Sequence, residues 1–71
     1  MPEAYRFRNR LRVTRAEKEL SQEQLAAMAG VTRQTISYIE NGQYAPSAKL
    51  ALIFALVLEK KVEELFYLEE M

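Results

Sequence analysis

The sequence predicts an all-α fold, a bundle of five short helices, and three observations lead to it. Ser21, Thr32 and Ser47 each stand immediately before a run of helix-compatible residues, where a side-chain oxygen caps the first free amides. Gly30 and Asn41-Gly42 close two of those runs. The connections are short, and the chain holds only two Gly and two Pro.

In chain order, Arg8 to Lys18 is the first helix candidate, with Leu11 as its main apolar residue. Ser21 then caps a second helix over Gln22–Ala29, and Gln24 three residues on completes a capping box. This stretch is dense in strong helix formers, and Gly30 follows as its left-handed terminator. Thr32 caps a third helix, Arg33 to Glu40, which ends at Asn41-Gly42. Gln43 to Pro46 is a loop, and Ser47 caps a fourth helix from Ala48 to about Glu59. A short fifth helix covers Val62 to Phe66. At the ends, Tyr5 and Phe7 alternate with arginines and Phe66, Tyr67 and Leu68 suit a strand, which leaves room for a small strand pair joining the termini.

Seventy-one residues read as one small domain, 1–71, which buries only about 60% of its unfolded surface. Chains of this size add disulfides, a metal or oligomerisation. The sequence contains no Cys, no His and no Asp. Disulfides, zinc sites, and Cys/His or Ser/His catalysis are therefore excluded, carboxylate metal sites have little to build with, and no cofactor or metal is expected. An enzyme is rejected on the same ground. Oligomerisation remains as the supplement, and binding as the occupation.

Ten basic residues balance ten acidic ones, yet their distribution is uneven. Arg6, Arg8, Arg10, Arg12, Arg15 and Lys18 crowd the N-terminal quarter against Glu3 and Glu17, whereas five glutamates outnumber two lysines after Ala51. A neutral molecule polarised in this way can turn a cationic face to a polyanion, or simply carry a solvated arginine face. The longest apolar run, Leu50 to Leu58, is far shorter than the roughly 20 residues of a membrane span. The cationic start has no apolar core behind it, so the chain reads as cytoplasmic, with no membrane partner.

The informative segment is 22–41. Leu25, Ala29, Val31, Ile36 and Ile39 are spaced for two short helices crossing steeply around one apolar cluster, with Ala26 permitting close approach and Gly30 the tight turn. Arg33, Gln34, Ser37 and Tyr38 then fall on the outer side of the second helix, which is sized for the major groove of B-DNA.

SQEQLAAMAGVTRQTISYIENGQYAPS, residues 21–47, resembles the helix-turn-helix of Cro/cI-type (XRE-type) transcriptional regulators. The resemblance extends over roughly residues 9–66 and is nearest to the small stand-alone forms without a ligand domain. It implies a lambda-repressor-like DNA-binding fold, double-stranded DNA as partner, and no small-molecule ligand. It further implies a phosphate contact for Gln22 and base contacts for Arg33 and Gln34. Arginine can bond guanine O6 and N7, and glutamine adenine N6 and N7. Ser37 and Tyr38 are implied contacts to base, methyl or phosphate, although Tyr38 can equally pack along its own helix. Thr32, Thr35, Asn41 and Gln43 would bond the DNA backbone, with Thr32 weighted toward its cap. One or two of Arg6, Arg8, Arg10 and Arg12 would join them. Arg15 and Glu40 match positions that form a buried ion pair in relatives.

Three departures from the family pattern stand out. Helix four is apolar almost all round, which predicts that a second subunit covers it, through Ile53 and Leu56 with Phe66, Tyr67 and Leu68 beside them. The alternative is an unusually apolar core helix in a monomer. Glu19 occupies a position where glycine is common, predicting mild strain, and Lys61 leaves the start of the last helix weakly specified. The leading expectation is a homodimeric repressor reading a near-palindromic operator. The competing one is a protein-interaction role, such as an antitoxin gripping a partner through helix four and the acidic C-terminal face.

Overall fold

A computed structural model of the chain describes residues 4–71; Glu3, counted in the N-terminal charge, lies outside them. The elements run β1 (Tyr5–Asn9), α1 (Leu11–Glu17), α2 (Gln22–Ala29), α3 (Arg33–Glu40), α4 (Ala48–Leu58), α5 (Val62–Leu65) and β2 (Phe66–Glu70). The five helices match the expected order, but a strictly all-α description is too narrow. The two terminal segments pair as an antiparallel sheet.

The caps act at three helix starts. Ser21 Oγ accepts the Gln24 amide at 3.0 Å while Gln24 Oε1 accepts the Ser21 amide at 2.7 Å, so the capping box is complete. Thr32 Oγ1 accepts from Thr35 N, and Ser47 Oγ from Leu50 N. Gly30, at φ 73°, ends α2 in the left-handed region, and Val31 N–H returns to the Ala26 carbonyl at 3.0 Å. At the weakly specified start of α5, Glu64 reaches back and accepts the Lys61 amide at 2.8 Å.

Two boundaries differ from those the sequence suggests. Helix α1 begins at Leu11, not Arg8, because Arg8 belongs to β1 and pairs with Tyr67. Asn9 makes the transition: its Oδ1 accepts the Leu11 amide, turning the chain from strand into helix. Phe66 is likewise the first residue of β2 and not the last of α5. Register places Phe7 opposite Leu68 and Arg6 opposite Glu69. One face of the sheet is therefore apolar (Phe7, Phe66, Leu68) and the other carries Arg6, Arg8, Tyr67 and Glu69.

The core is built from Leu11, Leu25, Ala26, Ala29, Ile36, Ile39, Phe54, Leu58, Leu65 and Phe66. Phe66 ties the sheet to it, lying 6.3 Å from the Phe54 ring and stacking on Phe7 at 5.7 Å. With only 8% of its surface exposed, Phe66 leaves the set of partner-facing residues: it is a core residue of its own chain.

Two non-glycine residues hold the left-handed conformation, Glu19 (φ 59°) after α1 and Glu59 (φ 58°) after α4. The first is the strained turn the sequence points to. The second the sequence does not reveal, because Glu59 continues an unbroken helical pattern. Each costs about 1–2 kcal/mol relative to a glycine, part of which the greater chain entropy of glycine offsets. Glu59→Gly is therefore expected to stabilise the fold by about 0.5–1 kcal/mol. That is a rise of about 2–8 °C in the thermal midpoint followed by circular dichroism. An unchanged or lowered midpoint contradicts the strain assigned to this residue.

Candidate nucleic-acid interface

Helices α2 and α3 share Leu25, Ala26, Ala29, Ile36 and Ile39, all buried, so the inner face of α3 is fixed by packing. Its other side is polar. Arg33, Gln34 and Tyr38 are exposed, and Thr35 and Ser37 are half-buried. Positions 33, 34, 37 and 38 follow the three-to-four spacing of one helix face, so their side chains project together.

Two contacts hold this face in order. Gln34 Nε2 donates to the Tyr38 hydroxyl at 2.8 Å, one turn along the helix. Tyr38 therefore lies along its own helix and remains exposed. Arg33 Nε lies 3.5 Å from Glu23 Oε2 with both side chains well exposed. A surface pair of this kind contributes only about 0–1 kcal/mol, so Arg33 is easily released to another acceptor. Thr32 and Thr35 share a 3.0 Å hydroxyl contact, and the Thr32 oxygen also caps α3. Asn41 and Gln43 follow α3 on an exposed loop, with the Gln43 amide bonded back to the Tyr38 carbonyl.

Behind α3 stands a buried carboxylate. The Glu40 side chain has no exposed surface and accepts from Arg15 Nε at 2.7 Å and Arg15 Nη2 at 3.2 Å, a two-pronged contact. Gln22 Nε2 adds a bond at 3.0 Å and Arg12 Nε lies 3.5 Å away. Arg15 also donates to the Leu20 carbonyl, and Arg12 Nη2 to Asn41 Oδ1 at 2.8 Å. Among the described residues, every buried side-chain polar atom has a partner. Arg15 and Glu40 thus form the pair that the resemblance implies. Gln22, the implied phosphate contact, has its carboxamide engaged inward as a third ligand of Glu40.

Burial alone would push the Glu40 carboxyl up. The hydrogen bonds from Arg15 and Gln22, the Arg15 charge and the Arg12 bond outweigh it, and its pKa lies below the ordinary carboxylate value. Arg15 is raised above its ordinary value, chiefly by the bond to Glu40 and against its own desolvation.

Asn9 is the residue that sequence reasoning misses. Its Nδ2 donates to the Ile39 carbonyl at 2.9 Å, pinning the end of β1 to the last turn of α3. Its only signal is an Asn two residues before a helix start, a common turn former with many other uses.

Residues 11–65 match the family described as Helix-turn-helix. The chain belongs to that family. Among its relatives are uncharacterised HTH-type transcriptional regulators of Methanocaldococcus jannaschii and Archaeoglobus fulgidus. The first is 46% identical over 64 residues, 90% of this chain and 97% of the relative. The second is 43% identical over 64 residues and 90% of each chain. Among solved structures, the chain is similar to the restriction-modification controller protein C.AhdI from Aeromonas hydrophila. It is 38% identical with a TM-score of 0.74, over 78% of this chain and 83% of that one. The protein is thus a helix-turn-helix member of a DNA-binding, transcription-regulator family. Among the described residues, no helix is long and apolar enough to cross a membrane.

Removing one partner of a buried ion pair strands the other charge, so Arg15→Ala is expected to cost about 3–5 kcal/mol in chemical denaturation. The depressed Glu40 pKa also sets a pH dependence. Its contribution is complete above the unfolded carboxylate value of about 4.3 and is lost as pH falls through the lower folded value. Thermal midpoints should therefore drop through this acid range, and Glu40→Gln should flatten that part of the profile. An identical profile in the variant would remove Glu40 as its source.

Proposed function

We propose that this protein is a cytoplasmic, homodimeric regulator that binds double-stranded DNA sequence-specifically. It acts as a repressor and reads a near-palindromic operator through the helix starting at Arg33. The observation that carries the reading is the outer face of α3, where Arg33, Gln34, Ser37 and Tyr38 project from a helix whose inner face is buried. Arg33 and Gln34 are the base readers, with guanine and adenine as their chemical complements. Ser37 and Tyr38 extend that contact. Thr32, Thr35, Asn41, Gln43 and the Gln22 end of α2 hold the phosphates on either side, where they fix register without reading sequence. The relation to a restriction-modification controller protein supports a regulatory role.

Support for the homodimer comes from α4. Leu52 is 60% and Leu56 77% exposed, one turn apart on the side away from buried Phe54 and Leu58. Full burial of a leucine is favourable by about 1.5–3 kcal/mol, and a two-fold contact would bury each residue twice. Ile53 beside them is half-buried, and Leu68 on β2 is 65% exposed. Tyr67 contributes less, because the Arg10 guanidinium lies 4.1 Å over its ring. A dyad at α4 would present two α3 helices to successive major grooves about 34 Å apart.

Selection from a randomised duplex pool tests the reading: enrichment of a two-fold symmetric site supports it, and no enrichment overturns it. Gln34→Ala should weaken binding to the selected site by about 1–3 kcal/mol and leave non-specific binding intact. Equal loss on both would remove Gln34 as a base reader. Leu56→Glu should sediment at the one-chain mass of 8.3 kDa, whereas an unchanged dimer would move the interface elsewhere.

A further inference from the structure

A polar groove of about 350 Å³ lies between Arg6, Arg8 and Asn9 of β1 and Asn41-Gly42 at the end of α3. The Glu40 carboxylate borders it too, but Arg15, Arg12 and Gln22 already satisfy that group. Arg8 is held by Glu69 at 2.9 Å. Arg6 also faces Glu69 across the sheet, but that carboxylate is engaged by Arg8. Among the described residues Arg6 pairs with no carboxylate, and its Nη2 has only the weak acceptor Met71 Sδ at 3.8 Å. Asn41 gives its Oδ1 to Arg12, which leaves its Nδ2 as a donor with no acceptor among the described residues. Above Gly42 the space is open: a Cβ added there would meet nothing within 4 Å.

We propose that this groove is a further DNA-backbone site, in which Arg6, reaching from β1 beside the Asn41 already placed on the phosphates, holds one more phosphate at the end of α3. The inference rests on the DNA-binding reading above. A helix in the major groove has a phosphate wall on each side of it, so a donor pocket at the end of α3 meets the backbone. Arginine suits this position because its planar fork bonds two phosphate oxygens at once. The strand is no loose arm. The Asn9–Ile39 bond and the Phe7–Phe66 stack fasten β1 to α3 and to the core, so Arg6 is delivered in fixed register with the base-reading face. The sheet thereby gains a second use besides closing the termini.

The test compares wild type, Arg6→Ala, Arg6→Lys and Arg10→Ala on the duplex selected by the wild type, across a salt series and by phosphate-ethylation interference. Arg10→Ala removes the same charge four residues along the chain, from a guanidinium that stacks over Tyr67 and does not line the groove, and so controls for long-range attraction. Arg6→Ala is expected to make the slope of log K against log salt shallower by about 0.9 per protomer. It should also erase one phosphate from the interference pattern while base preference is kept. Arg6→Lys should restore the slope, and Arg10→Ala should leave every phosphate in place. An Arg6→Ala pattern identical to wild type, or the same loss in Arg10→Ala, overturns the groove while the DNA reading stands. Failure of the wild type to select any duplex overturns both.

Discussion

Glu40 carries a charge that the fold has taken out of water, at a place where a carboxylate is doubly unfavourable. It is desolvated, and it stands in the last turn of α3, where the helix dipole already presents partial negative charge. Both penalties are met by groups drawn from elsewhere in the chain: Arg15 and Arg12 from α1, and Gln22 from the opening of α2, whose N-terminal end favours an anion. Three helices are thereby fixed to one oxygen pair. The directionality of hydrogen bonds does here what the apolar cluster alone cannot, since Leu25, Ile36 and Ile39 would tolerate some sliding of α2 on α3.

The same carboxylate reaches the interface at both ends. Gln22 begins the helix that precedes the polar face of α3, and Arg12 passes from Glu40 to Asn41, which begins the loop after it. The residues of the outer α3 face thus sit on a helix braced at its rear by charge and at its final turn by Asn9. Only the outermost contacts, Arg33 with Glu23 and Gln34 with Tyr38, are weak enough to exchange for other partners. Rigidity in the frame with lability at the tips lowers the ordering cost of binding.

Polarity divides the surface of this small chain. The outer face of α3 is hydrogen-bonding, whereas the outer face of α4 displays leucines that no part of the described chain covers. The sheet combines both characters: Phe7 and Phe66 lead inward to Phe54, while Arg6 and Arg8 stand on the opposite face. Arg8–Glu69 and the arginine alternation also place charge along a two-stranded ribbon with open edges, which discourages unwanted strand addition.

Local chemistry made much of this legible in the sequence. Ser21 with Gln24, Thr32, Gly30 and Ser47 each act on amides or dihedrals within a few residues, so the limits of α2 and α3 and the polar face of α3 follow without tertiary information. The recognised motif added the Arg15–Glu40 pairing. Tertiary structure decided what depends on distant partners. Arg8 becomes a strand residue because Tyr67, far along the chain, completes its ladder, and Phe66 becomes core because Phe54 and Phe7 enclose it. Gln22 turns inward because Glu40 lies opposite, and Glu59 takes a left-handed turn because the chain must reverse there to dock α5. That Arg6 pairs with no carboxylate among the described residues is likewise invisible in a row of four alternating cations. It is settled by a competition for Glu69 that exists only once the two ends of the chain lie side by side.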